Sequence, residues 1–278
     1  MNPEHLSLYG LKYDPFVPDV PVEAMRVDPA LEFFCWRIEQ MIRYGGFGAI
    51  DGEPGTGKSV ALRVIEARLG ARNDLTVGVL TRPQSTVGDF YRELGHIFGV
   101  DLTPHNRWAG AKALREIWLA HIDASRDRPV LLVDEAQEMQ PAVLSELRLL
   151  ASSRLDARSL LTVVLAGDSR LAARLRRPEL LPIASRIRAR LSLAPAEPEA
   201  LLADLEHLLG HAGCPALMTD ALARTLVEHA GGNRRALMNM AHLLLGAAAR
   251  KGCRRLDEAL YFEVFALPIE RPATAVGR

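Results

Sequence analysis

Residues 52–59 of the chain read Gly-Glu-Pro-Gly-Thr-Gly-Lys-Ser, which is the spacing of a glycine-rich phosphate-binding loop. Glycine adopts backbone angles that other residues avoid, so successive N–H groups of such a loop can point inward around an anion. Lys58 would reach the β- and γ-phosphates of a nucleotide, and the Ser59 hydroxyl would ligate Mg²⁺. The residues predicted to contact the nucleotide are consecutive: Gly52, Glu53, Pro54, Gly55, Thr56, Gly57, Lys58, Ser59 and Val60.

The segments on either side of this loop suit the same role. Residues 47–50 form a short apolar run typical of a buried strand, and residues 60–66 continue as a helix. A strand, a loop and a helix in this order are the context that a phosphate-binding loop requires, and the helix N-terminus adds positive dipole charge. The alternative, a glycine-rich turn with an incidental lysine, is disfavoured by this context.

A second apolar run, at residues 129–133, ends in two neighbouring carboxylates, Asp134 and Glu135. A continuous apolar strand is typical of a parallel sheet that is covered on both faces. Asp134 would hold Mg²⁺ directly or through water, and Glu135 could orient and deprotonate an attacking water molecule. The alternative, a solvated acidic turn, is disfavoured by the phosphate-binding loop earlier in the chain. Together the motifs predict that the chain hydrolyses, or at least binds, a nucleoside triphosphate, with ATP and Mg²⁺ as the expected ligands.

Composition limits the class of protein. The 278 residues suit one large or two modest domains, and a formal net charge of zero gives no global attraction to nucleic acid. No run reaches the apolar length of a membrane span, and the N-terminus lacks the features of a signal peptide. Cys35, Cys214 and Cys253 are widely spaced, which suits reduced thiols in a cytoplasmic protein rather than disulfides or a zinc site.

Apolar strands alternate with helical segments between residues 46 and 195, which predicts an α/β P-loop fold with a parallel sheet flanked by helices. The predicted strands are 47–50, 75–80, 129–134 and 160–166. Residues 196–267 have helical periodicity throughout and predict a small all-helical lid. Residues 1–45 are expected to form an N-terminal segment that packs on the sheet domain, and residues 268–278 a disordered tail.

Polar residues that follow the strand at 160–166 are candidates for sensing the nucleotide. This strand is expected to lie next to the two strands that carry the nucleotide motifs. Asp168 or Ser169 could then sense the γ-phosphate or position water. The open alternative is that either residue caps the following helix.

Two arginine-rich segments lie further along the chain. Arg186, Arg188 and Arg190 alternate on a predicted short strand and would point the same way. They could supply an arginine finger to a neighbouring subunit's nucleotide, contact DNA phosphates, or form a solvated edge. In the predicted lid, Arg234 and Arg235 begin a helix, where their charge opposes the helix dipole and indicates an anionic partner. Arg235 would fold back on the nucleotide.

The chain resembles the AAA+ ATPases of the ExeA-like group, which includes the TniB and TnsC transposition regulators. The resemblance covers nearly the whole chain and rests on short elements in addition to the phosphate-binding loop. These elements are Tyr9-Gly10-Leu11, Asp14-Pro15-Phe16, Val133-Asp134-Glu135-Ala136-Gln137, Leu165-Ala166-Gly167-Asp168, Ser185-Arg186-Ile187 and Gly232-Asn233-Arg234-Arg235. By resemblance, Asp134 and Glu135 are the Walker B pair, Arg186 is the arginine finger and Arg235 is the lid's sensor arginine.

The chain departs from the family pattern at a few positions. Residue 168 is Asp where relatives often carry a neutral polar residue, so its sensor role stays open. Arg188 and Arg190 compete with the implied finger, and Arg234 competes with the implied sensor arginine.

Two functions of relatives compete as predictions. Secretion ATPases of the ExeA type carry a membrane span and a wall-binding domain after the ATPase, whereas this chain ends after the predicted lid. The leading prediction is a cytoplasmic regulator of DNA transposition with no membrane contact. It would form a ring or filament with ATP on double-stranded DNA, without sequence preference, and activate a transposase. The basic surface expected to contact DNA comprises Arg174, Arg176, Arg177, Arg186, Arg188 and Arg190.

Three alternatives to the transposition prediction stay open. They are a secretion ATPase, a helicase loader and a nucleotide-gated signalling module.

Overall fold

The computed structural model describes residues 3–80, 82–100, 107–124, 128–153 and 158–265. The chain divides into two compact units. One unit is Val27–Pro195, and the other combines the residues up to Arg26 with those from Ala196 onward. The predicted tail at residues 268–278 lies outside the described residues.

The first unit is built on a five-stranded sheet in which each neighbouring pair is parallel. In chain order the strands are β1 (Gly46–Gly52), β2 (Leu75–Leu80), β3 (Arg128–Val133), β4 (Ser152–Ser153), β5 (Arg158–Ser159), β6 (Thr162–Gly167) and β7 (Ile187–Leu193). The short β4 and β5 form a separate antiparallel pair. The spatial order β2-β3-β6-β1-β7 confirms the predicted parallel sheet, and it places β6 between the two strands that carry the nucleotide motifs.

Helices account for most of the remaining described structure. In chain order they are α1 (Pro3–Tyr9), α2 (Pro29–Ile42), α3 (Lys58–Gly70), α4 (Val87–Ile97), α5 (Arg107–Ala124), α6 (Pro141–Ala151), α7 (Ser169–Leu175), α8 (Leu181–Ala184), α9 (Pro198–Ala212), α10 (Asp220–Ala230), α11 (Arg234–Lys251) and α12 (Glu258–Phe265). Over the described residues, none of these helices combines the length and the apolar character needed to cross a membrane.

The central strands are continuous apolar runs because helices cover both faces of the sheet. Every residue of β6 is buried, and successive residues of a strand point to opposite faces. Phe47 and Val163 belong to a buried cluster that includes Trp118 of α5. A Cβ added to the next residue, Gly48, would instead lie 2.6 Å from Cδ1 of Ile38, so α2 covers the opposite face.

The second unit consists of α1 and α9 to α12 around a buried cluster of its own. Tyr9, Leu11 and Phe16 are part of this cluster, and the Tyr9 hydroxyl donates to the carbonyl oxygen of Cys253 at 2.9 Å. The predicted N-terminal segment 1–45 is therefore divided between the units. Its first part packs with the C-terminal helices because its apolar side chains are buried among theirs, and only the part that contains α2 belongs to the sheet unit.

Candidate nucleotide-binding site

The loop between β1 and α3 contains two glycines with left-handed backbone angles, Gly55 at φ 87° and Gly57 at φ 112°. Residues with a Cβ rarely adopt these angles, so the path of the loop depends on glycine at both positions. Gly57 is the N-cap of α3, and Lys58 and Ser59 are the first residues of that helix. The first N–H groups of a helix have no carbonyl partner within it, so this helix start offers donors and positive dipole charge to a phosphate.

Position 52, at the start of the loop, has no room for a side chain larger than that of glycine. A Cβ there would lie 2.6 Å from the carbonyl oxygen of Leu193 and 2.7 Å from Oγ1 of Thr56. Thr56 is itself buried, and its hydroxyl donates to the carbonyl oxygen of Glu53 at 2.8 Å. The loop is thus closed by an internal hydrogen bond and packed against the end of β7, which fixes its position on the sheet.

The side chain of Lys58 is turned into the loop. It is only 7% exposed, and its Nζ donates to the carbonyl oxygens of Gly52 at 2.8 Å and Glu53 at 3.1 Å. A buried ammonium group is costly unless its charge is compensated. Carbonyl oxygens compensate it only in part, so the anionic oxygens of a nucleotide phosphate would be stronger partners for the same group.

The phosphate-binding loop and the acidic strand end meet through one hydrogen bond. The hydroxyl of Ser59 donates to Oδ2 of Asp134 at 2.8 Å, although the strands that precede them are separated by β6. The contact places two hard oxygen donors side by side, which is the donor set that Mg²⁺ takes when waters and phosphates complete its coordination shell. The residues at this point fit Mg²⁺, and Ser59 and Asp134 would hold it.

Glu135 has a left-handed backbone, with φ 51° and ψ 39°, which is unique among the non-glycine residues that the structure describes. Its N–H donates to Oδ1 of Asp134 at 2.9 Å. The side chain of Glu135 is exposed, and its carboxylate accepts a hydrogen bond from the side-chain amide of Gln137. The turn after β3 therefore directs the neighbouring carboxylates to different partners, Asp134 to Ser59 and Glu135 to Gln137.

Asp168 lies at the carboxyl end of β6 and is the N-cap of α7. Its Oδ1 accepts from the N–H of Arg170 at 2.9 Å, and its Oδ2 accepts from Nε of the same arginine at 2.8 Å. The hydrogen bond from Arg170 lowers the pKa of Asp168, and the positive charge of Lys58 adds a smaller lowering effect. Asp168 thus takes the capping role that the sequence left open, Ser169 begins the helix, and a sensor role for Asp168 stays a prediction.

The pairing of β7 with β1 is irregular close to the arginines of β7. Phe47 pairs with Ile187, but the next residue, Gly48, pairs with Ala189, so Arg188 is an extra residue on β7. Such a bulge disrupts the regular alternation of side chains between the two faces of a strand.

The prediction that Arg186, Arg188 and Arg190 point the same way is therefore wrong. The Cδ of Arg188 lies 3.3 Å from where a Cβ on Gly46 would be, on the side of the sheet that α2 covers. Arg190 instead lines a cavity of about 400 Å³ beside α7 and α8. Arg186 precedes the strand, and its guanidinium donates to the carbonyl oxygen of Pro182.

Arg174 was predicted to belong to a DNA-contacting surface, but the structure places it against the turn after β3. Its guanidinium donates to the carbonyl oxygens of Gln137 and Met139. Partial burial lowers the pKa of Arg174, and the neighbouring charge of Arg177 lowers it further. Arg176 and Arg177 are exposed, so the solvent-facing charge of this segment comes from these two side chains.

The two arginines at the start of α11 differ in their surroundings. Nε of Arg234 donates to Oδ2 of the buried Asp204 at 2.7 Å, and Nε of Arg26 donates to Oδ1 of the same carboxylate at 2.6 Å. Arg235 is exposed. Asp204 thus holds Arg234 within the helical unit, and the role of Arg235 as the nucleotide-sensing arginine stays a prediction.

Two side chains near the acidic turn have contacts that the sequence analysis did not assign. Gln137 is buried between Glu135 and Asp168, and Arg170 pairs with both Asp168 and Glu138. The sequence signal for Gln137 was its place in the Asp-Glu-Ala-Gln element. The contacts of Arg170 depend on the proximity of α7 to the turn, for which the sequence has no local signal.

The strand order, the glycine-rich loop and the acidic strand end together define a P-loop NTPase fold of the AAA type. The family model described as AAA domain matches residues 41–175. This match includes β1 with the phosphate-binding loop, β3 with Asp134 and Glu135, and α7. The segment that this family model matches therefore contains the candidate site.

Among curated proteins, the chain is 34% identical over 217 residues to general secretion pathway protein A of Aeromonas hydrophila. The match covers 76% of this chain and 39% of that protein, so the chain spans about two-fifths of this relative's length.

Two solved structures are similar to this one. Cdc6p of Pyrobaculum aerophilum matches with a TM-score of 0.73 and 14% identity, covering 88% of this chain and 68% of that chain. The Aeropyrum pernix ORC1 protein in complex with DNA matches with a TM-score of 0.70 and 17% identity, covering 91% of this chain and 68% of that chain. At these identities the likeness is one of fold.

Substitutions at Lys58 and Ser59 should separate phosphate binding from metal binding. Lys58→Ala should abolish ATP binding with and without Mg²⁺, because the phosphates lose their buried counter-charge. Ser59→Ala should bind ATP in the absence of Mg²⁺ as the parent does but lose the increase in affinity that Mg²⁺ gives the parent. Titration of each folded variant with a fluorescent ATP analogue measures both effects, and parental affinity in Lys58→Ala would contradict the assigned role.

Proposed function

We propose that the protein is a Mg²⁺-dependent ATPase. The observation that carries this proposal is the 2.8 Å hydrogen bond between Ser59 and Asp134, which joins the phosphate-binding loop to the acidic strand end. Lys58 is buried in the same loop, and Glu135 follows Asp134 directly. The AAA-domain match and the P-loop fold support nucleotide hydrolysis as the activity.

The residues of the site divide the work of phosphoryl transfer. The N–H groups of the loop and the Lys58 ammonium group would bind and orient the phosphates and offset the charge that develops during transfer. Mg²⁺, when held by Ser59 and Asp134, would neutralise charge on the β- and γ-phosphate oxygens. The Glu135 carboxylate would orient the attacking water and accept its proton.

Glu135→Gln should bind ATP with the affinity of the parent but hydrolyse it slowly. An amide keeps the size of the side chain but cannot accept the proton of water, so turnover should fall by roughly 10²–10⁴-fold. Phosphate release under saturating ATP measures turnover, and nucleotide titration verifies that the site is intact. Comparable turnover in Glu135→Gln and the parent would remove Glu135 from the role of base.

We also propose that ATP promotes head-to-tail assembly, in which an arginine of one subunit reaches the γ-phosphate bound by the next. Arg186 is the first candidate because of the family resemblance, and Arg188 and Arg190 are the alternatives. A head-to-tail contact repeats as a closed ring or an open filament. Because Arg188 and Arg190 lie on different faces of β7, single substitutions can distinguish the candidates.

Arg186→Ala should bind ATP normally and lose roughly 10³-fold or more of its turnover, because the transition state loses a positive charge from the neighbouring subunit. Mixing Arg186→Ala with Lys58→Ala should restore part of the activity, since some interfaces combine an intact loop with an intact arginine. Arg188→Ala and Arg190→Ala are measured in parallel. Absence of rescue at every mixing ratio, with oligomers of parental size, would assign the finger to another arginine or to the same subunit.

Two client functions are candidates for this ATPase. The first is regulation of DNA transposition in the cytoplasm, with double-stranded DNA and a transposase as partners. It is supported by the exposed charges of Arg176, Arg177 and Arg190 and by the fold shared with an ORC1 protein whose structure contains DNA. The second is energising a secretion pathway, and it is supported by 34% identity to general secretion pathway protein A.

DNA binding is the measurement that separates these functions. In the presence of ATP and Mg²⁺, the parent should bind duplexes of unrelated sequence with similar affinity, and the affinity should fall steeply with salt. Combined replacement of Arg176 and Arg177 by Ala should weaken binding to every duplex about equally, the mark of backbone contact. Arg224→Ala removes an exposed arginine from the helical unit and should leave binding unchanged.

Fluorescence anisotropy at low salt provides this test. If the parent shows no binding at protein concentrations well above ~10 μM, where even non-specific contacts normally register, the DNA candidate is excluded. The secretion ATPase, the helicase loader and the signalling module would then be the remaining candidates.

A further inference from the structure

The side chain of Gln137 is buried and hydrogen-bonded at both ends of its amide. It is 4% exposed, its Oε1 accepts from the N–H of Asp168 at 3.2 Å, and its Nε2 donates to the carboxylate of Glu135. Only the oxygen of the amide can accept from an N–H, and only the nitrogen can donate to a carboxylate. These partners determine the orientation of the amide.

The position of this amide is set by the sheet. Asp168 directly follows the last residue of β6, so the location of its backbone N–H depends on the pairing of β6 with the neighbouring strands. On the same strand end, a Cβ added to Gly167 would lie 2.6 Å from Oε1 of Gln137, so the amide fills the space that this glycine leaves open. The Nε2 donor of Gln137 is therefore fixed relative to β6, the strand that lies between β1 and β3.

The turn that carries Gln137 is also fastened to α7. Arg174 donates to the carbonyl oxygens of Gln137 and Met139, and Arg170 pairs with Glu138 at 2.8 Å. Two arginines of one short helix thus hold the turn at Gln137 and at the two residues that follow it. A displacement of α7 would shift the amide together with the backbone to which it belongs.

Glu135 needs such a support because its side chain is exposed. A glutamate has three rotatable side-chain bonds, and an exposed one samples several rotamers. A general base acts only when its carboxylate is within hydrogen-bond reach of the water that it deprotonates, and a displacement of about 1 Å can cost on the order of 10²-fold in rate. A fixed donor on one side of the carboxylate reduces the rotamers that it samples.

We propose that Gln137 is a positioning residue for Glu135, and that it sets the orientation of the base from β6 and α7. This inference rests on the proposed ATPase function, in which Glu135 is the base. Gln137 itself would contact neither the nucleotide nor the metal. Its removal should therefore lower kcat and leave the KM for ATP and the nucleotide affinity within about twofold of the parental values.

Two substitutions separate positioning from a purely structural role. Gln137→Glu retains an acceptor for the Asp168 N–H, and in its ionised form it replaces the donor to Glu135 by a second acceptor. Gln137→Leu removes both hydrogen bonds while filling a similar volume. Gln140→Glu is the matched control, because it introduces the same charge at an exposed position three residues away, where the side chain makes no capping hydrogen bond.

The experiment combines steady-state ATPase kinetics with hydrogen exchange of the Asp168 amide in nucleotide-free protein. Gln137→Glu should show parental protection of the Asp168 amide and a kcat lower by about 10²-fold. Gln137→Leu should show a similar loss of kcat together with faster exchange at Asp168. Gln140→Glu should match the parent in both measurements.

A parental kcat in Gln137→Glu, with protection of Asp168 retained, would overturn the inference and reduce Gln137 to a structural support of β6. If Gln137→Leu does not fold, Gln137→Glu alone decides. Absence of turnover in the parent, at the level of Glu135→Gln, would overturn the proposed function and this inference together. An active parent with an unaffected Gln137→Glu would overturn this inference alone.

Discussion

The parallel pairing of β6 with β1 on one side and β3 on the other determines where every group of the site lies. Asp51 pairs with Gly167, and Val133 pairs with Leu165. The three strands consequently end at one edge of the sheet, which is where ligands bind in open α/β folds. The phosphate-binding loop, Asp134 and Asp168 all lie at this edge of the sheet. A slip of one residue in either pairing would turn a whole strand over and separate Ser59 from Asp134.

The nucleotide motifs and most of the helices and strands could be predicted because they depend on nearby residues. Gly55 and Gly57 adopt the backbone angles for which glycine is needed, and the spacing of the loop indicates this directly. The strand that precedes Asp134 is apolar from Pro129 to Val133, as expected for a strand buried on both faces. The parallel direction of the strands could be predicted because such apolar runs alternate with helices along the chain.

Other features depend on contacts between distant segments and had no local signal. The described residues before Val27 join the C-terminal helices through the burial of Tyr9, Leu11 and Phe16, three apolar residues without a helical or strand period. The extra residue at Arg188 follows from the pairing of β7 with β1, and alternation along the sequence alone does not reveal it.

Arginine is the residue type whose role was hardest to predict from sequence. Its charge favours an exposed position, whereas its five donors also suit it to hold carbonyl and carboxylate groups within the protein. Arg174 and Arg234 take the second role, and Arg176 and Arg235 remain exposed. Neighbouring arginines thus have different roles, and only the arrangement of the chain in space distinguishes them.

The backbone of Glu135 has a consequence for how this protein can be improved or adapted. A residue with a Cβ in the left-handed region costs about 1–3 kcal/mol, a cost that glycine largely avoids. The turn would therefore fold more favourably with glycine at position 135, yet glycine has no carboxylate to offer. Selection for resistance to heat would favour glycine at this position, whereas selection for catalytic turnover would favour glutamate. A screen that rewards stability alone would therefore tend to remove the proposed base.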